Sequence, residues 1–374
     1  MRIAMFGQKR IPSREGGVEI VVEELSTRMA VLGHKVTCYN RRGHHVSGSQ
    51  YDTFTGKEYK NVRIKTVPTI EKKGLAAVSS SFFASLCSLF GRYDVVHIHA
   101  EGPAAFCFIP KLFRKRVVVT VHGLDWQREK WKSGFGAKYI HFGEKMAVKH
   151  ADEIIVLSKG VQRYFMDTYG RETVFIPNGV NRPEIKPADI INKRFGLSKD
   201  SYILYLGRIV PEKGEHYLIE AFKQTDTDKK LVIAGGSSDT DEYMDRLKKM
   251  AQDDERIAFT GFVQGQMLEE LYSNAYIYVL PSDLEGMPLS LLEAMSYGNC
   301  CLVSDIKECT EVVEDKAEVF RKSDIDDLRM RLQELCSRED LVQKYKEDAA
   351  EYICGRYDWN KIVDKTLELY KGER

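Results

Sequence analysis

The 374-residue sequence carries almost none of the signals that place a chain outside the soluble globular class. Its eight cysteines (38, 87, 107, 300, 301, 309, 336 and 354) form no C-x-x-C, so they read as free thiols in a reducing compartment rather than as a disulfide or metal framework. The N-terminus "MRIAMFGQKR" lacks the apolar core of a signal peptide. The longest weakly polar stretch, "GLAAVSSSFFASLCSLFG" (74–91), holds five serines and is too polar to span a bilayer, so it reads as a buried or surface amphipathic helix. Neither G-x-G-x-x-G nor a Walker A pattern occurs, which excludes the dinucleotide fingerprint and the P-loop. There is no short-period repeat, no low-complexity segment and no nucleic-acid motif, and a net charge of +1 gives no argument for a polyanion partner.

What is present is a long chain with 43% hydrophobic and 30% charged residues, enough for two cores. Its charge is divided unevenly. Residues 1–182 carry 29 Lys+Arg against 16 Asp+Glu, and the remainder 27 against 39, so one half is suited to an anionic surface. "RIAMFG", "KVTCYN", "VRIKTV", "DVVHIHA", "VVVTVHG", "EIIVLS" and "VFIPNG" are nearly continuous apolar runs, as strands buried on both faces are, with helical segments between several of them. After the proline-bearing "NRPEIKPADIINKRFGLSKDS" (181–201) a second series follows: "YILYLGR", "KLVIAGG", "RIAFTGF", "AYIYVLP" and "CCLVSD". This pattern predicts an α/β chain of two doubly wound, Rossmann-like domains, residues 1–182 and 183–355. Residues 356–374 form a C-terminal helix with the option of crossing back to the first domain. Ligands of such folds bind at the carboxyl ends of the strands, so a cleft between the two sheets is expected.

Several motifs fall at those strand ends. Gly16 and Gly17 in "REGGVE" follow the first strand and open a helix, where bare backbone and helix amides favour an anion; a plain tight turn is the simpler alternative. In "YLGRIVPEKGEHYL", Arg208 ends a strand and Lys213 precedes a helix start, a plausible diphosphate clamp or a solvated loop. His122 in "VHGLDWQREKW" ends another strand, placed to donate to a substrate or to act as an acid–base group; packing alone also accounts for such a histidine. His97 and His99 share one strand face without a third metal ligand at suitable spacing. Asp239 and Asp241 form D-x-D, better read as a helix cap than as a cation site. In "EGMPLSLLE", Gly286 and Pro288 break any continuous helix, and Pro288 suits the first helical position. Glu285 then sits at the helix mouth and Glu293 two turns in, where carboxylates meet a diol such as a sugar or ribose offers.

Together "GG" after the first strand, "GRIVPEKG", "IAGG", "FTGF" and "EGMPLSLLEA" resemble the family 4 glycosyltransferases of the GT-B fold over essentially the whole chain, with Glu285 and Glu293 matching the family's E-x7-E. "QKRIPSREGGVEIVVEELS" is similar to the N-terminus of bacterial capsule rhamnosyltransferases. The resemblance implies a retaining hexosyl- or deoxyhexosyltransferase with a nucleotide-sugar donor (UDP-, dTDP- or GDP-linked) as substrate and with no cofactor or metal. By resemblance, Gly16 and Gly17 approach the donor diphosphate, Arg208 and Lys213 neutralise it, and His122 contacts the sugar near the reacting centre. Glu285, Gly286 and the amides of Met287, Leu289 and Ser290 line the sugar, Glu293 holds the ribose, and Phe262 and Val263 lie by the base. The family commonly has Phe-Gly-Leu-Pro after its first Glu, whereas this chain has Gly-Met-Pro-Leu, which bears on sugar preference.

The basic half is expected to be the acceptor domain. Its clusters "QKR", "NRRGHH", "EKKG" and "KLFRKR" fit an anionic membrane surface, with "FCFIPKLFRKR" (106–116) as an interfacial helix and a lipid-linked saccharide as acceptor. That predicts a cytoplasmic protein held at the inner face of the cell membrane. A sugar-nucleotide epimerase of the same fold, needing no membrane face, and a non-enzymatic carbohydrate- or nucleotide-binding protein are the rival readings.

Overall fold

The computed structural model describes residues 1–44, 48–51, 54–72, 74–127, 134–237 and 240–372. It divides into two compact units, Met1–Asn178 with Trp359–Arg374, and Gly179–Asp358. The first contains β1 (Arg2–Phe6), α1 (Gly17–Val31), β2 (Lys35–Arg41), β3 (Glu58–Tyr59), β4 (Val62–Val67), α2 (Leu75–Leu89), β5 (Val95–His99), α3 (Glu101–Ala104), α4 (Phe108–Leu112), β6 (Arg116–Val121), α5 (Phe135–His150), β7 (Glu153–Val156), α6 (Lys159–Tyr169) and β8 (Val174–Phe175). Its eight-stranded sheet runs β3-β4-β2-β1-β5-β6-β7-β8, parallel except for the β3–β4 pair.

The second unit contains α7 (Ile190–Phe195), β9 (Tyr202–Leu206), α8 (Glu215–Lys223), β10 (Lys230–Ala234), α9 (Asp241–Ala251), β11 (Ile257–Gly261), α10 (Gln266–Asn274), β12 (Ile277–Leu280), α11 (Leu289–Ser296), β13 (Cys300–Ser304), α12 (Lys307–Val313), β14 (Glu318–Phe320), α13 (Ile325–Ser337) and α14 (Glu339–Arg356). Its parallel sheet runs β11-β10-β9-β12-β13-β14. The last helix, α15 (Trp359–Lys371), lies in the first unit, where Tyr370 reaches the His97 ring and the carbonyl of Leu369 accepts from Arg116. In each sheet the strand order reverses beside the unit's first strand, between β1 and β5 and between β9 and β12. Those two switch points set where a ligand site can form.

The apolar runs become strands because both faces are covered: every residue of β5, β9 and β13 is buried. Two short strands had no such run to announce them. β3 is two residues long and returns through Lys60 and Asn61, both at positive φ, the geometry of a tight hairpin turn. β14 has only one fully buried position.

Residues 74–91 form an amphipathic helix of unexpected sense. The buried face of α2 is made of Ser79, Ser80, Ser81, Ala84, Ser85 and Ser88, while Leu75 and Phe82 point outward and Phe90, its C-cap, is 86% exposed. Ser79, Ser81 and Ser88 donate to carbonyls of their own helix at 2.6–2.8 Å, so they bury without losing a hydrogen bond. The expected interfacial helix over 106–116 is not formed: α4 spans five residues, Ile109 and Pro110 are buried, Lys111 pairs with Asp152, and Arg116 enters β6 against Glu153 at 3.4 Å. Only Leu112, Phe113 and Arg114 of that segment are exposed.

Close packing overrides helix propensity at one position of α5. A Cβ added to Gly143 would stand 2.0 Å from the carbonyl oxygen of Glu101. Gly143→Ala would gain about 1 kcal/mol from propensity alone, but the contact requires two backbones to separate. We expect a net loss of about 1–3 kcal/mol, typical of overpacking, read as a lower urea midpoint; an unchanged or higher midpoint would show that the two backbones separate freely.

Candidate active site

The second unit's switch point gathers residues from loops far apart in sequence. Arg208 follows β9, and Tyr205 of that strand donates from its hydroxyl to the Arg208 carbonyl at 3.0 Å. The next turn, Pro211–Lys213, ends at Gly214, whose φ of +72° and close approach to the Pro281 carbonyl (2.1 Å from an added Cβ) admit only glycine comfortably. That approach brings the loop after β9 against the loop after β12. The amide of Asp283 donates to the Glu212 carbonyl at 2.9 Å, and Lys213 Nζ pairs with Glu285 Oε1. Ser282 Oγ donates to the same oxygen at 2.7 Å. The ion pair is largely buried, with Lys213 and Glu285 side chains 14% and 7% exposed. Such a pair resists rearrangement because separating it leaves a poorly solvated charge.

α11 begins at Leu289, one residue later than the proline reading placed it, with Pro288 in extended conformation as the N-cap. The carbonyl of Pro288 accepts from the Leu291 and Leu292 amides at 3.1 and 3.2 Å. The Leu289 and Ser290 amides occupy the first turn, whose N–H groups have no intrahelical partner by geometry. Ser290 Oγ accepts from the Tyr278 hydroxyl at 2.8 Å, and Glu293 Oε2 from the Tyr272 hydroxyl at 3.3 Å, so both side chains are held from below by tyrosines of the core. Gly286 and Met287 are buried beside them. Phe262 and Val263 follow β11, two strands from β9 at the same carboxyl edge.

Behind this cluster sits a residue the motif reading passed over. Glu215, the first residue of α8, is fully buried; its Oε2 accepts from the Tyr243 hydroxyl at 3.1 Å and its Oε1 has no partner. Burial pushes its carboxyl up to about 8, although Tyr205, Tyr243 and Lys213 favour the ionised form. Its acidic side chain directly after Gly214, in an otherwise apolar helix face, was the available signal. Ser282, Tyr278 and Tyr272 left no comparable trace, because only the fold aims their hydroxyls.

In the first unit, Gly16 caps α1 in extended conformation and Gly17 is its first residue. Glu19 in that turn accepts from the Lys9 amide at 2.7 Å. His122, 9% exposed, follows β6. Its Nε2 lies 3.1 Å from His99 Nδ1, while His99 Nε2 is buried without a partner. Placing the His99 proton on Nδ1 avoids a buried orphan N–H; His99 then donates to His122, whose own proton sits on Nδ1. Burial pushes His99 well below the usual histidine range, keeping it neutral. His97 is a satisfied core histidine, bonded to Tyr370 at 2.6 Å and Thr120 at 2.7 Å and pushed down to about 3 by burial and then by His122.

Gly16, Gly17 and His122 thus share one carboxyl edge, and Arg208, Lys213, Glu285, Gly286, Met287, Leu289, Ser290, Glu293, Phe262 and Val263 share the other. Asp239 lies outside the described residues, and Asp241, the first residue of α9, accepts from Ser237 Oγ at 2.5 Å. Among the described residues no cluster of three or more His, Cys, Asp or Glu is arranged to hold a metal ion. All eight cysteines are unpaired.

Comparison with known proteins agrees with this layout. Residues 15–182 match the Glycosyltransferase Family 4 model and residues 188–352 the Glycosyl transferases group 1 model. An uncharacterized glycosyltransferase of Methanocaldococcus jannaschii is 26% identical over 99% of this chain and 98% of its own length. The UDP-Gal:alpha-D-GlcNAc-diphosphoundecaprenol alpha-1,3-galactosyltransferase of Escherichia coli is 28% identical over 83% of this chain and 84% of its own. Among solved structures, Anabaena HepE in complex with UDP and glucose superposes with a TM-score of 0.82 at 16% identity, covering all of both chains. One model covers each sheet, and together they leave only the chain's ends and a short linker unassigned: the chain is a group 1 glycosyltransferase of the GT-B fold.

Proposed function

We propose that the protein is a retaining glycosyltransferase that moves a hexose or deoxyhexose from a nucleotide-sugar to a lipid-linked saccharide in cell-surface polysaccharide synthesis. The observation that carries the donor assignment is the Lys213–Glu285 pair at the β9/β12 switch point, beside Arg208 and the first turn of α11. A departing nucleoside diphosphate needs preorganised positive charge, and each such group can contribute ~2.7–4 kcal/mol to the transition state. Arg208 and Lys213 supply that charge and take the electrostatic role a metal has elsewhere, so we infer a metal-independent reaction. Glu285 aims Lys213 and lines the sugar; Gly286, Met287, Leu289 and Ser290 complete that wall; Glu293 holds the ribose; Phe262 and Val263 flank the base. Gly16 and Gly17 take the donor diphosphate and His122 the sugar in this reading. The family assignment, a structural neighbour solved in complex with UDP and glucose, and a relative named for a diphosphoundecaprenol-linked acceptor support a nucleotide-sugar donor and a lipid-linked acceptor. The N-terminal run 8–26 supports the capsule rhamnosyltransferase branch.

Peripheral attachment to the inner face of the cell membrane is part of the reading. Its structural support is α2 with the exposed Leu112–Arg114 turn, not an interfacial helix over 106–116. With serines inward, α2 leaves Leu75, Phe82 and Phe90 facing out, and Phe106 touches Phe82 with ring centroids 5.4 Å apart. Leu112 and Phe113 are 74% and 62% exposed near Arg92 and Arg114, because Phe90–Asp94 and Leu112–Lys115 lead into the paired strands β5 and β6. Apolar side chains ringed by cations suit an anionic lipid surface, at roughly 1 kcal/mol per basic residue near the headgroups. No described helix is long and apolar enough to cross a membrane.

The two glutamates separate in kinetics. Glu285→Gln should lower kcat by about 10²–10³, as loss of one preorganised transition-state group does. Glu293→Gln should raise the donor KM about tenfold, the scale of one charge-assisted hydrogen bond, with kcat nearly unchanged; negligible effects of both would remove them from the site. A panel of UDP-, dTDP- and GDP-sugars should show nucleoside-diphosphate release that depends on lipid-linked acceptor, whereas an epimerase would interconvert the free donor without lasting release. NMR of the product should show the donor's anomeric configuration preserved, and inversion would refute retention. In liposome flotation, binding should rise with anionic lipid and fall several-fold in Phe82→Ser/Phe90→Ser; binding indifferent to charge would refute the membrane reading.

A further inference from the structure

One guanidinium in the first unit is enclosed without an anion. Arg41 is the last residue of β2, and the loop after β1 fixes it in place. Its amide donates to the Lys9 carbonyl at 2.7 Å, and the side chain of Asn40 before it bonds the amide and the carbonyl of Ile11 at 3.1 and 2.9 Å. The guanidinium turns back onto that loop, where Nη2 donates to the Gly7 carbonyl at 3.3 Å, a long hydrogen bond. Nε is buried and has no partner, although the residue as a whole remains partly exposed. Among the described residues no carboxylate lies within ion-pair distance of Arg41. Glu19 supplies the largest favourable charge, but its Oε1 is committed to the Lys9 amide at 2.7 Å. A guanidinium stays protonated in proteins, so enclosing it without an ion-pair partner costs stability. Burial is accordingly the largest influence on Arg41 and disfavours its charge; Glu19 and Tyr139 favour that charge, and Arg10 opposes it.

The position of Arg41 is functional. Gly7, whose carbonyl it touches, follows β1 at the switch point with β5; its φ is +120°, and a Cβ added there would stand 2.0 Å from the His99 carbonyl oxygen. His99 Nδ1 lies 3.1 Å from His122 Nε2. Three successive contacts therefore join Arg41 to the histidine assigned to the sugar. Two more groups come to the same strand end. Arg10 Nη2 donates to the Gly43 carbonyl at 2.8 Å, two residues beyond Arg41, and the charges of the two arginines repel. Tyr139 of α5 lies within electrostatic reach of Arg41, and its hydroxyl is buried without a partner. Burial pushes that phenol up, so it keeps its proton and can donate it.

A repelling pair of guanidiniums and an unsatisfied phenol have one complement in common, an oxyanion that accepts from all three. The planar fork of arginine matches phosphate oxygens, and a charge-assisted bond there is about twice as strong as a neutral one. The donor diphosphate is already assigned to Arg208, Lys213 and the backbone of Gly16 and Gly17, and the first unit is the basic half expected to take the acceptor. We propose that Arg41, with Arg10 and Tyr139, forms a subsite for a phosphate group of the acceptor. The proposal rests on the transfer reading only for the identity of the molecule that carries the phosphate. It narrows the acceptor to one whose phosphate lies close to the hydroxyl that is glycosylated.

The experiment measures inorganic-phosphate binding and urea midpoints in the full chain as wild type, Arg41→Met and Tyr139→Phe. Each is first saturated with whichever of UDP, dTDP and GDP it binds, so that the donor residues are occupied. Phosphate should then raise the wild-type midpoint, as any ligand of the native state does. Arg41→Met and Tyr139→Phe should each bind phosphate about 10–100-fold more weakly, the scale of one hydrogen bond to a charged group. Without phosphate neither variant should have a lower midpoint than wild type, because each removes a buried group that lacks its complement. A lower phosphate-free midpoint in Arg41→Met would show that the charge serves the fold, and equal phosphate binding in all three proteins would place the anion elsewhere; either result overturns the proposal. Nucleoside-diphosphate affinity should be the same in Arg41→Met and wild type, and a parallel loss would give the charge to the donor diphosphate and overturn the acceptor assignment. If none of the three nucleotides binds, the donor reading fails, and the phosphate titration run without nucleotide still decides the subsite.

Discussion

The second unit is organised around the contact between Lys213 and Glu285, partners 72 residues apart that close the gap between the loops after β9 and β12. A mostly buried ion pair contributes little net stability, because desolvation offsets most of the attraction, but breaking it is costly. Its effect is therefore to specify geometry. It sets Lys213 beside the strand end that carries Arg208 and holds Glu285 at the mouth of α11. Gly214 permits the approach, Ser282 fixes the carboxylate, and Tyr278 and Tyr272 hold Ser290 and Glu293 from the core side. Substituting any one of these supports shifts a charge whose value depends on its position.

The first unit uses buried polar groups differently. His97, His99 and His122 form a line of rings from Tyr370 on the last helix to the carboxyl edge of the sheet. Glu101 accepts from the amide of Asp125 in the turn that follows His122. In both places buried polar groups are oriented chiefly by protein partners, so their orientation is defined before any ligand arrives. The outer surface of the same unit breaks the usual pattern, because α2 buries its serines while Leu75, Phe82 and the C-cap Phe90 face outward.

Much of this architecture was legible in the chain. The apolar runs marked the long strands because a parallel sheet covered on both faces leaves no room for alternation. Glycines and the proline near helix starts marked the loops that carry Arg208, Lys213 and Glu285, since those residues reflect backbone constraints that are local. The short strands β3 and β14 escaped notice because two or three residues hold too little periodicity to read. The 106–116 segment misled because cations and apolar residues in sequence look the same whether they are solvated or engaged, and here Asp152 and Glu153 engage Lys111 and Arg116.

The sequence by itself determined the class of fold, the division into two sheets and the residue types at the strand ends, all of which follow from nearest-neighbour patterning of apolar, small and charged residues. Only the tertiary structure decided which side chains meet. The pairing of Lys213 with Glu285, the direction in which α2 turns its serines and the burial of Glu101 and Glu144 depend on strand order and helix rotation. Those are set by global packing, where the cost of burying a charge or a hydroxyl is settled by partners that lie tens of residues away.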